Sequence, residues 1–393
     1  MEKLPQELID QIIDYVGHPD LRACSLVGRR WVERSHWRIC GGGYRSFIHQ
    51  RQLNSALKNL LTKGSIFAEH IHTLTLGFTV VQAWAEHFRD VDAVLPRLHS
   101  LIITDAWLRL HSDVAVLKRN FGNTLLSLSL NMVAIDSEEF YPIFSSFPNL
   151  DNLSITRLNL PPPPPGDIPA CPRALGKLTL AGVEAHNTCV PFLLKLPIQF
   201  RTLHFCGTAD VRKVHPLMRA YSSTLTTLEI RGNVWFSSLA ITAGSKQRET
   251  DDVPRLCERG PPLAARRYPE LQIVRFTLAA LVTPRDCVAL VLSSITSAPR
   301  LSEVTFVFTR ATLDQDLDLA VNLGGWGLVD DQLCRLVQQS TGGITASFDF
   351  LTQRGWTPRR DDTGMSFMRG FRRFGVMKLR SFGEEVAAYS PRV

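Results

Sequence analysis

The residues of widest chemical repertoire in this 393-residue chain are its eleven histidines and eight cysteines, and their spacing limits what they can do. The cysteines stand at positions 24, 40, 171, 189, 206, 257, 287 and 334, so the closest two are sixteen residues apart. A zinc knuckle or a redox pair needs two thiols within a few residues, and a disulfide framework needs a denser set. Cysteines this scattered read as reduced core residues. All the histidines lie at or before His215. His70 and His72, two apart on a strand, would share a side and suit a metal, but no cysteine or acidic cluster accompanies them in sequence. Gly176-Lys177 is followed by Leu178 inside an apolar pattern, so it is no phosphate loop, and GxSxG, HExxH and GxGxxG are absent. No metal, no cofactor and no enzymatic activity is expected.

Charge adds a second constraint. Between Arg354 and Arg380 stand eight basic residues (Arg354, Arg359, Arg360, Arg369, Arg372, Arg373, Lys378, Arg380) against Asp361 and Asp362, which accounts for six of the seven net positive charges. The rest of the chain is close to neutral, so the basic balance marks a tail rather than a nucleic-acid-binding fold. Trp356, Phe367, Phe371 and Phe374 are interleaved with these arginines. Such a segment can bind nucleic acid or anionic lipid, or it can cap a repeat array with its rings inward. The cap is the reading preferred for 351–393, so neither nucleic acid nor membrane is expected as a partner. Composition is that of a folded protein, with 45% hydrophobic and 21% charged residues. No apolar run reaches the roughly 18 residues that span a bilayer, and the first residues are too acidic for a signal peptide. A soluble protein of the cytoplasm, the nucleus or both is the expectation.

The elements that would position side chains follow from an internal repeat. Apolar residues recur at i, i+3 and i+5 in Ile71/Leu74/Leu76, Leu98/Leu101/Ile103, Leu125/Leu128/Leu130, Leu150/Leu153/Ile155 and Leu175/Leu178/Leu180. The series continues through Phe200/Leu203/Phe205, Leu225/Leu228/Ile230, Leu271/Val274/Phe276 and Leu301/Val304/Phe306. Successive starts are 27, 27, 25, 25, 25, 25, 46 and 30 residues apart. The apolar-polar-apolar end of each unit is a short strand with one buried face, and a turn signal such as Phe147-Pro148-Asn149 precedes most of them. Helical spacing fills the intervals at 83–95, 114–121, 140–147, 211–221 and 287–295. One strand and one helix cannot bury a core alone, but stacked neighbours can.

Two stretches break the pattern. Residues 161–165 are five prolines, which adopt polyproline II and exclude a helix; a stiff loop replacing it is preferred over a ligand for a proline-binding domain. The segment 246–267 is charged, proline-containing and poor in apolar residues, and reads as a surface loop.

The LxxLxL pattern resembles the leucine-rich repeat family over residues 65–350. That resemblance implies an α/β solenoid with a parallel sheet on one concave face. The family's asparagine, three residues after the last leucine, is present only at Asn233; elsewhere the position holds Ala106, Val133, Leu158, Val183 or Thr208. An irregular solenoid is therefore expected.

Residues 1–40 are a separate helical unit. Leu4, Leu8, Ile12 and Val16 form one stripe of a first helix, widened by Ile9 and Ile13, with Pro5 in its first turn, Glu7 against its positive end and Gly17 at its stop. A second helix follows His18-Pro19-Asp20, carrying Leu21, Leu26, Val27 and Trp31. So small a unit needs something to dock on. A linker helix at 41–64 is one candidate, a second molecule another. Leu4-Pro5-x-Glu7-Leu8 together with Ser25-Leu26-Val27-Gly28-Arg29-Arg30-Trp31 resembles the F-box, with Gly28 where that family usually has cysteine.

The resemblance implies a substrate-recognition subunit of an SCF-type cullin–RING ubiquitin ligase. Its F-box would hold a Skp-type adaptor, and through it the cullin and RING subunits, with Leu4, Pro5, Leu8, Ile9, Ile12, Leu21, Leu26, Val27 and Trp31 as the contact set. The repeats would present a protein substrate that the sequence does not name. A non-degradative repeat scaffold, or nucleic-acid binding through the tail, is the alternative. Strand alternation turns Thr73/Thr75, Ser100/Ile102, Ser127/Ser129 and Asn152/Ser154 to the open face early in the array. Later strands turn out Lys177, His204, Glu229, Arg231, Arg275 and Glu303, which are the candidate substrate-binding residues because they offer charge and directional donors.

Overall fold

In a computed structural model of the protein, residues 4–39, 44–47, 68–77, 84, 95–105, 107–108, 115–135, 146–158, 173–196, 198–206, 211–231, 266–278, 285–308, 326–350, 373, 375–381 and 384–389 are described. The fold is α/β with parallel sheet, and the chain divides into two compact units, Met1–Cys171 and Pro172–Val393. The proline run 161–165, most of the loop 246–267 and most of the basic segment lie outside the described residues.

The first unit begins with three short helices, α1 (Gln6–Tyr15), α2 (Leu21–Val27) and α3 (Arg29–Ile39), with a 3-10 turn at His18–Asp20. Ile9, Ile13 and Leu21 form its small core, and Val16, Trp31 and Ile39 pack against them. Polar clamps hold α3 on α1. Arg34 Nε donates to Asp14 Oδ1 at 2.9 Å, Arg38 Nη2 donates to the Val16 carbonyl at 3.1 Å, and Arg30 Nε donates to Gln6 Oε1 at 3.1 Å. The hydrogen bond from Arg34 holds the Asp14 carboxyl below the usual carboxylate range. Gly17 lies in an extended conformation, so the helix ends without a left-handed glycine.

Strands follow as β1 (Tyr44–Phe47), β2 (Thr73–Leu76), β3 (Ser100–Thr104), β4 (Trp107–Leu108), helix α4 (Ala115–Phe121), β5 (Ser127–Asn131), β6 (Ala134–Ile135) and β7 (Asn152–Thr156). The order β1-β2-β3-β5-β7 is parallel throughout, and β4 pairs with β6 as a separate parallel ribbon. Residues 44–47 are thus strand where a linker helix over 41–64 is expected; the remainder of that expected helix lies outside the described residues. Of the helical intervals 83–95 and 140–147, the structure describes only a buried helical Trp84, Leu95 and the segment from Ser146.

The second unit runs β8 (Arg173–Ala181), α5 (Val183–Lys195), β9 (Ile198–Cys206), α6 (Val211–Ala220), β10 (Thr227–Arg231), β11 (Arg266–Arg267) and β12 (Ile273–Leu278). It continues with α7 (Arg285–Ser294), β13 (Ile295–Ser297), β14 (Glu303–Phe308), α8 (Trp326–Gln339), β15 (Thr345–Phe350), β16 (Val376–Ser381) and β17 (Glu384–Tyr389). Its sheet order is β8-β9-β10-β12-β14-β15-β16-β17, parallel until β17 returns antiparallel on β16. The array therefore extends past residue 350, the boundary expected from the sequence, and closes with a hairpin where a basic cap or tail is expected.

All three apolar positions of the nine sequence units are buried. Register explains how. Leu74, Leu101, Leu128 and Leu153 are cross-strand partners in one inward row, and Leu76, Ile103, Leu130 and Ile155 in the next. In the second unit the matching rows are Leu178-Leu203-Leu228-Val274-Val304-Ala346 and Leu180-Phe205-Ile230-Phe276-Phe306-Phe348. The second row ends as an aromatic ladder. Phe306 stacks between Phe276 at 5.5 Å and Phe348 at 4.8 Å, while Trp326 of α8 meets Phe306 and Phe348 edge-on. Each buried aliphatic or aromatic side chain contributes about 1.5–3 kcal/mol, so stacked rows dominate stability. The first apolar residue of several units also closes a turn, as in Leu98 N–H to Leu95 O and Leu301 N–H to Ala298 O.

The turns that leave β3, β5, β7 and β8 share a backbone device where the asparagine is missing. Asp105, Met132, Arg157 and Gly182 each follow the last residue of a strand with positive φ (50°, 53°, 51° and 89°). Three of them donate their N–H to the end of the next strand: Asp105 to Asn131 O, Met132 to Thr156 O and Gly182 to Cys206 O. Left-handed geometry costs a non-glycine residue of order 1 kcal/mol, and β-branching raises that cost. Met132→Gly should hold or raise the denaturation midpoint, whereas Met132→Val should lower stability by about 1–3 kcal/mol; equal midpoints for the two variants would contradict the turn's role.

A second prediction concerns the contact between α3 and the 3-10 turn Ala68–His70. His36 and His70 are both buried there, with ring centroids 6.1 Å apart. Burial lowers the pKa of each, and the two rings further oppose protonation of His70. The unfolded chain therefore binds these protons more readily than the folded one. Stability is full above the ordinary histidine value near 6.5 and falls as pH drops below it. Thermal melts between pH 7.5 and 5 should show that loss, and His36→Gln with His70→Gln should flatten it; an unchanged slope in the double variant would refute the assignment.

Candidate functional site

Two surfaces hold the residues singled out by the sequence. On the helical unit, helical periodicity splits the expected contact set. Ile9 and Leu21 face inward at 3% and 1% exposure, so they build the core and are not available for contact, and Trp31 is half-buried against the same core. Leu4, Leu8, Ile12, Leu26 and Val27 remain 49%, 44%, 42%, 87% and 65% exposed, and Pro5 is exposed beside them. Leu4, Leu8 and Ile12 recur every four residues along α1 and its entry, which puts them on one face. Tyr15 extends that exposed apolar set by another turn, a residue the motif did not single out. Single exposed leucines are ordinary on a protein surface; several large apolar side chains exposed on one small unit are less so. Gly28 has open space where a Cβ would stand, so the departure there leaves packing undisturbed.

The second surface is the open face of the second unit's sheet. Glu229 on β10 is the cross-strand partner of His204 on β9 and of Arg275 on β12. Lys177 Nζ lies 3.7 Å from Glu229 Oε2, His204 Nδ1 3.8 Å from the same oxygen, and Arg275 Nη1 3.8 Å from Oε1. One carboxylate thus collects three of the candidate residues from three other strands. The distances exceed the 2.7–2.9 Å of a charge-assisted hydrogen bond, so Glu229 attracts these groups without saturating their donors. Arg231 ends the same strand as Glu229, is exposed, and adds charge close enough to act on both His204 and Cys206. Glu303 turns elsewhere: its Oε1 accepts from Thr305 Oγ1 at 2.6 Å on its own strand.

Cys206 is the member that sequence reasoning missed. Its sulfur lies 3.0 Å from His204 Nε2, on the partly exposed side of β9, because alternation puts Phe205 in the core and its neighbours outside. Of the described cysteines, all expected in the core, Cys189 is buried, whereas Cys24, Cys206 and Cys334 are partly exposed. Burial pushes the Cys206 thiol up, against the pull of Arg231 and Lys177. Burial likewise lowers the His204 pKa, although Glu229 acts to raise it. The open face is also less uniform than alternation implies, since Thr75, Thr305 and Ser347 are buried.

The histidine pair considered for a metal does not converge. His70 belongs to the 3-10 turn and meets His36, whereas His72 stacks on His99 at 5.4 Å. Among the described residues no group of three His, Cys, Asp or Glu side chains could hold a metal ion, and no helix is long and apolar enough to cross a membrane. Of the basic segment, Arg373, Lys378 and Arg380 are described, with Lys378 and Arg380 on β16. No protein-family model matches the sequence, and no curated protein matches it either.

Proposed function

We propose that this chain is the substrate-recognition subunit of an SCF-type cullin–RING ubiquitin ligase. In this reading residues 1–40 are an F-box that holds a Skp-type adaptor, and the strands and helices that follow are an irregular leucine-rich-repeat solenoid that binds the substrate. The observation that carries the proposal is the exposed set Leu4, Pro5, Leu8, Ile12, Leu26 and Val27 on a helical unit whose core is built by Ile9, Ile13 and Leu21 with Val16, Trp31 and Ile39. The exposed side chains fall in the two ends of the F-box-like motif, Leu-Pro-x-Glu-Leu and Ser-Leu-Val, and an amphipathic helix presenting i, i+4 anchors is suited to a groove on a partner. No catalytic group is then needed in the chain. Acceleration comes from proximity: holding a substrate lysine near a thioester-bound ubiquitin raises its effective concentration.

The test is co-purification with a Skp-type adaptor and a cullin, followed by titration. Replacing Leu4 and Pro5 by Ala should weaken adaptor binding by roughly 2–4 kcal/mol, since a few apolar anchors dominate such interfaces, while the far-UV spectrum stays unchanged. Ile9→Ala should act differently, lowering the stability of the helical unit itself because that side chain is core. Unchanged adaptor affinity in the Leu4/Pro5 variant would overturn the proposal. Adaptor binding without a cullin would instead favour a non-degradative scaffold.

A further inference from the structure

We infer that the open face around Glu229 is a recognition site for an anionic side chain, carboxylate or phosphate, carried by an extended peptide segment. This deepens the reading of the sheet as a substrate-binding surface and rests on it. The charge count is the first support. Lys177, Arg231 and Arg275 bring three positive charges to one neighbourhood, and among the described residues Glu229 is the acid that pairs with Lys177 and Arg275. The geometry is the second. Lys177 and Arg275 approach the Glu229 carboxylate only to 3.7 and 3.8 Å, and Arg231 is exposed with no ion pair to a described residue. Their remaining donors face solvent, and arginine's planar fork suits a two-oxygen acceptor.

Glu229 has a definite part in this arrangement. Three like charges crowded without it would repel one another and spread into solvent. Its carboxylate draws two of the long cationic side chains across neighbouring strands and so orders part of the site before any partner arrives. The same carboxylate also competes with an incoming anion for their donors. It therefore sets both the order of the site and the strength with which an anion is held.

The occupant is a peptide rather than a nucleic acid. Beside the charged residues, the outward positions of this face are mostly hydroxyl or small side chains, Thr179, Thr202, Thr227, Thr277 and Ala181 among them. Only His204 offers a ring, whereas single-strand binding relies on aromatic platforms for successive bases. Glu229 and Glu303 would also repel a continuous phosphate backbone. Hydroxyl and small apolar neighbours around one cationic centre suit an isolated anionic residue flanked by uncharged ones. Adjacent strands are about 4.8 Å apart and an extended peptide rises about 3.3 Å per residue, so the three strands from β9 to β12 are spanned by roughly three residues.

The experiment is fluorescence anisotropy on the full chain with three labelled dodecapeptides in low salt: alternating Ser-Glu, the same length with isolated phosphoserines, and a neutral Ser-Gln control. The anionic peptides should bind at least tenfold more tightly than the neutral one, and the better of the two identifies the source of the anion. Arg231→Glu with Arg275→Glu should remove the preference. Glu229→Gln should instead tighten binding several-fold, because the competing carboxylate is gone; a purely structural role for Glu229 would make that variant weaker. The inference is overturned if the neutral peptide binds as well as the anionic ones, if Glu229→Gln loses affinity, or if an oligothymidine of twelve bases binds more tightly than either anionic peptide. Adaptor binding, measured separately, distinguishes the failures: loss of anion preference with adaptor binding intact overturns this site alone, and the reverse outcome overturns the receptor reading while leaving an anion-binding sheet.

Discussion

A strand of four to six residues has two inward side chains and no means of hiding them by itself. Parallel pairing in strict register removes that difficulty, because each inward residue then lies directly over its counterpart on the next strand. Leu101 sits between Leu74 and Leu128, and Phe306 between Phe276 and Phe348. A slip of one residue in any pair would turn an entire row to solvent and bury the hydroxyl and charged residues instead. The register is therefore strongly determined. The left-handed residues after β3, β5, β7 and β8 serve the same requirement, since each turns the chain away at an equivalent point and three of them reach the neighbouring strand end with an N–H.

The chemistry of the open face is a by-product of that same register. Stacking Leu203, Leu228 and Val274 in one inward row, and Phe205, Ile230 and Phe276 in another, obliges His204, Glu229 and Arg275 to line up between them on the opposite side. Cross-strand neighbours about 5 Å apart interact whether or not they are adjacent in sequence. This is how residues separated by 46 positions, Glu229 and Arg275, come to share one electrostatic environment. A carboxylate between two cations also stabilises the sheet modestly, in the range of other exposed pairs. The arrangement is thus affordable for the fold and still leaves cationic donors unsatisfied for a partner.

Much of this was legible from the spacing of apolar residues. The i, i+3, i+5 series names the inward rows of three pairings in the first unit and four in the second, and alternation then names the outward residues without further information. What escaped has physical reasons. At β15 the leading apolar position is Gly343 and the next is Ala346, too small to register as a pattern, although Phe348 completes the row. At β16 the residues Met377 and Leu379 stand in the same rows, and Phe374, Met377 and Leu379 repeat the spacing in sequence. The surrounding arginines drew the reading toward a basic cap instead. At β1 an arginine, Arg45, occupies the register of Leu74, so nothing in the sequence marked a strand there. The helices were harder. α5 carries Pro191, which weakens a helical prediction there, whereas the spacing over 211–221 marked α6 in spite of Pro216. In the helical unit the motif did not divide exposed from core residues, because telling them apart requires knowing which face meets α3.

That division carries a consequence for how the two surfaces would work together. An apolar stripe on a small helical unit loses its cost of exposure only when covered, and apolar burial is insensitive to salt, so its natural partner is a stable one. A cationic cluster in water behaves oppositely. Its hydration is favourable, its attraction to an anion is screened over about 8 Å at physiological ionic strength, and its complexes form and dissociate quickly. A receptor that stays on its ligase while cycling through substrates needs this pairing of a persistent contact with a reversible one. In the SCF reading, the two kinds of surface therefore sit with the two roles in the order their physics favours: Leu8, Ile12 and Leu26 toward the adaptor, and Lys177, Arg231 and Arg275 toward the substrate.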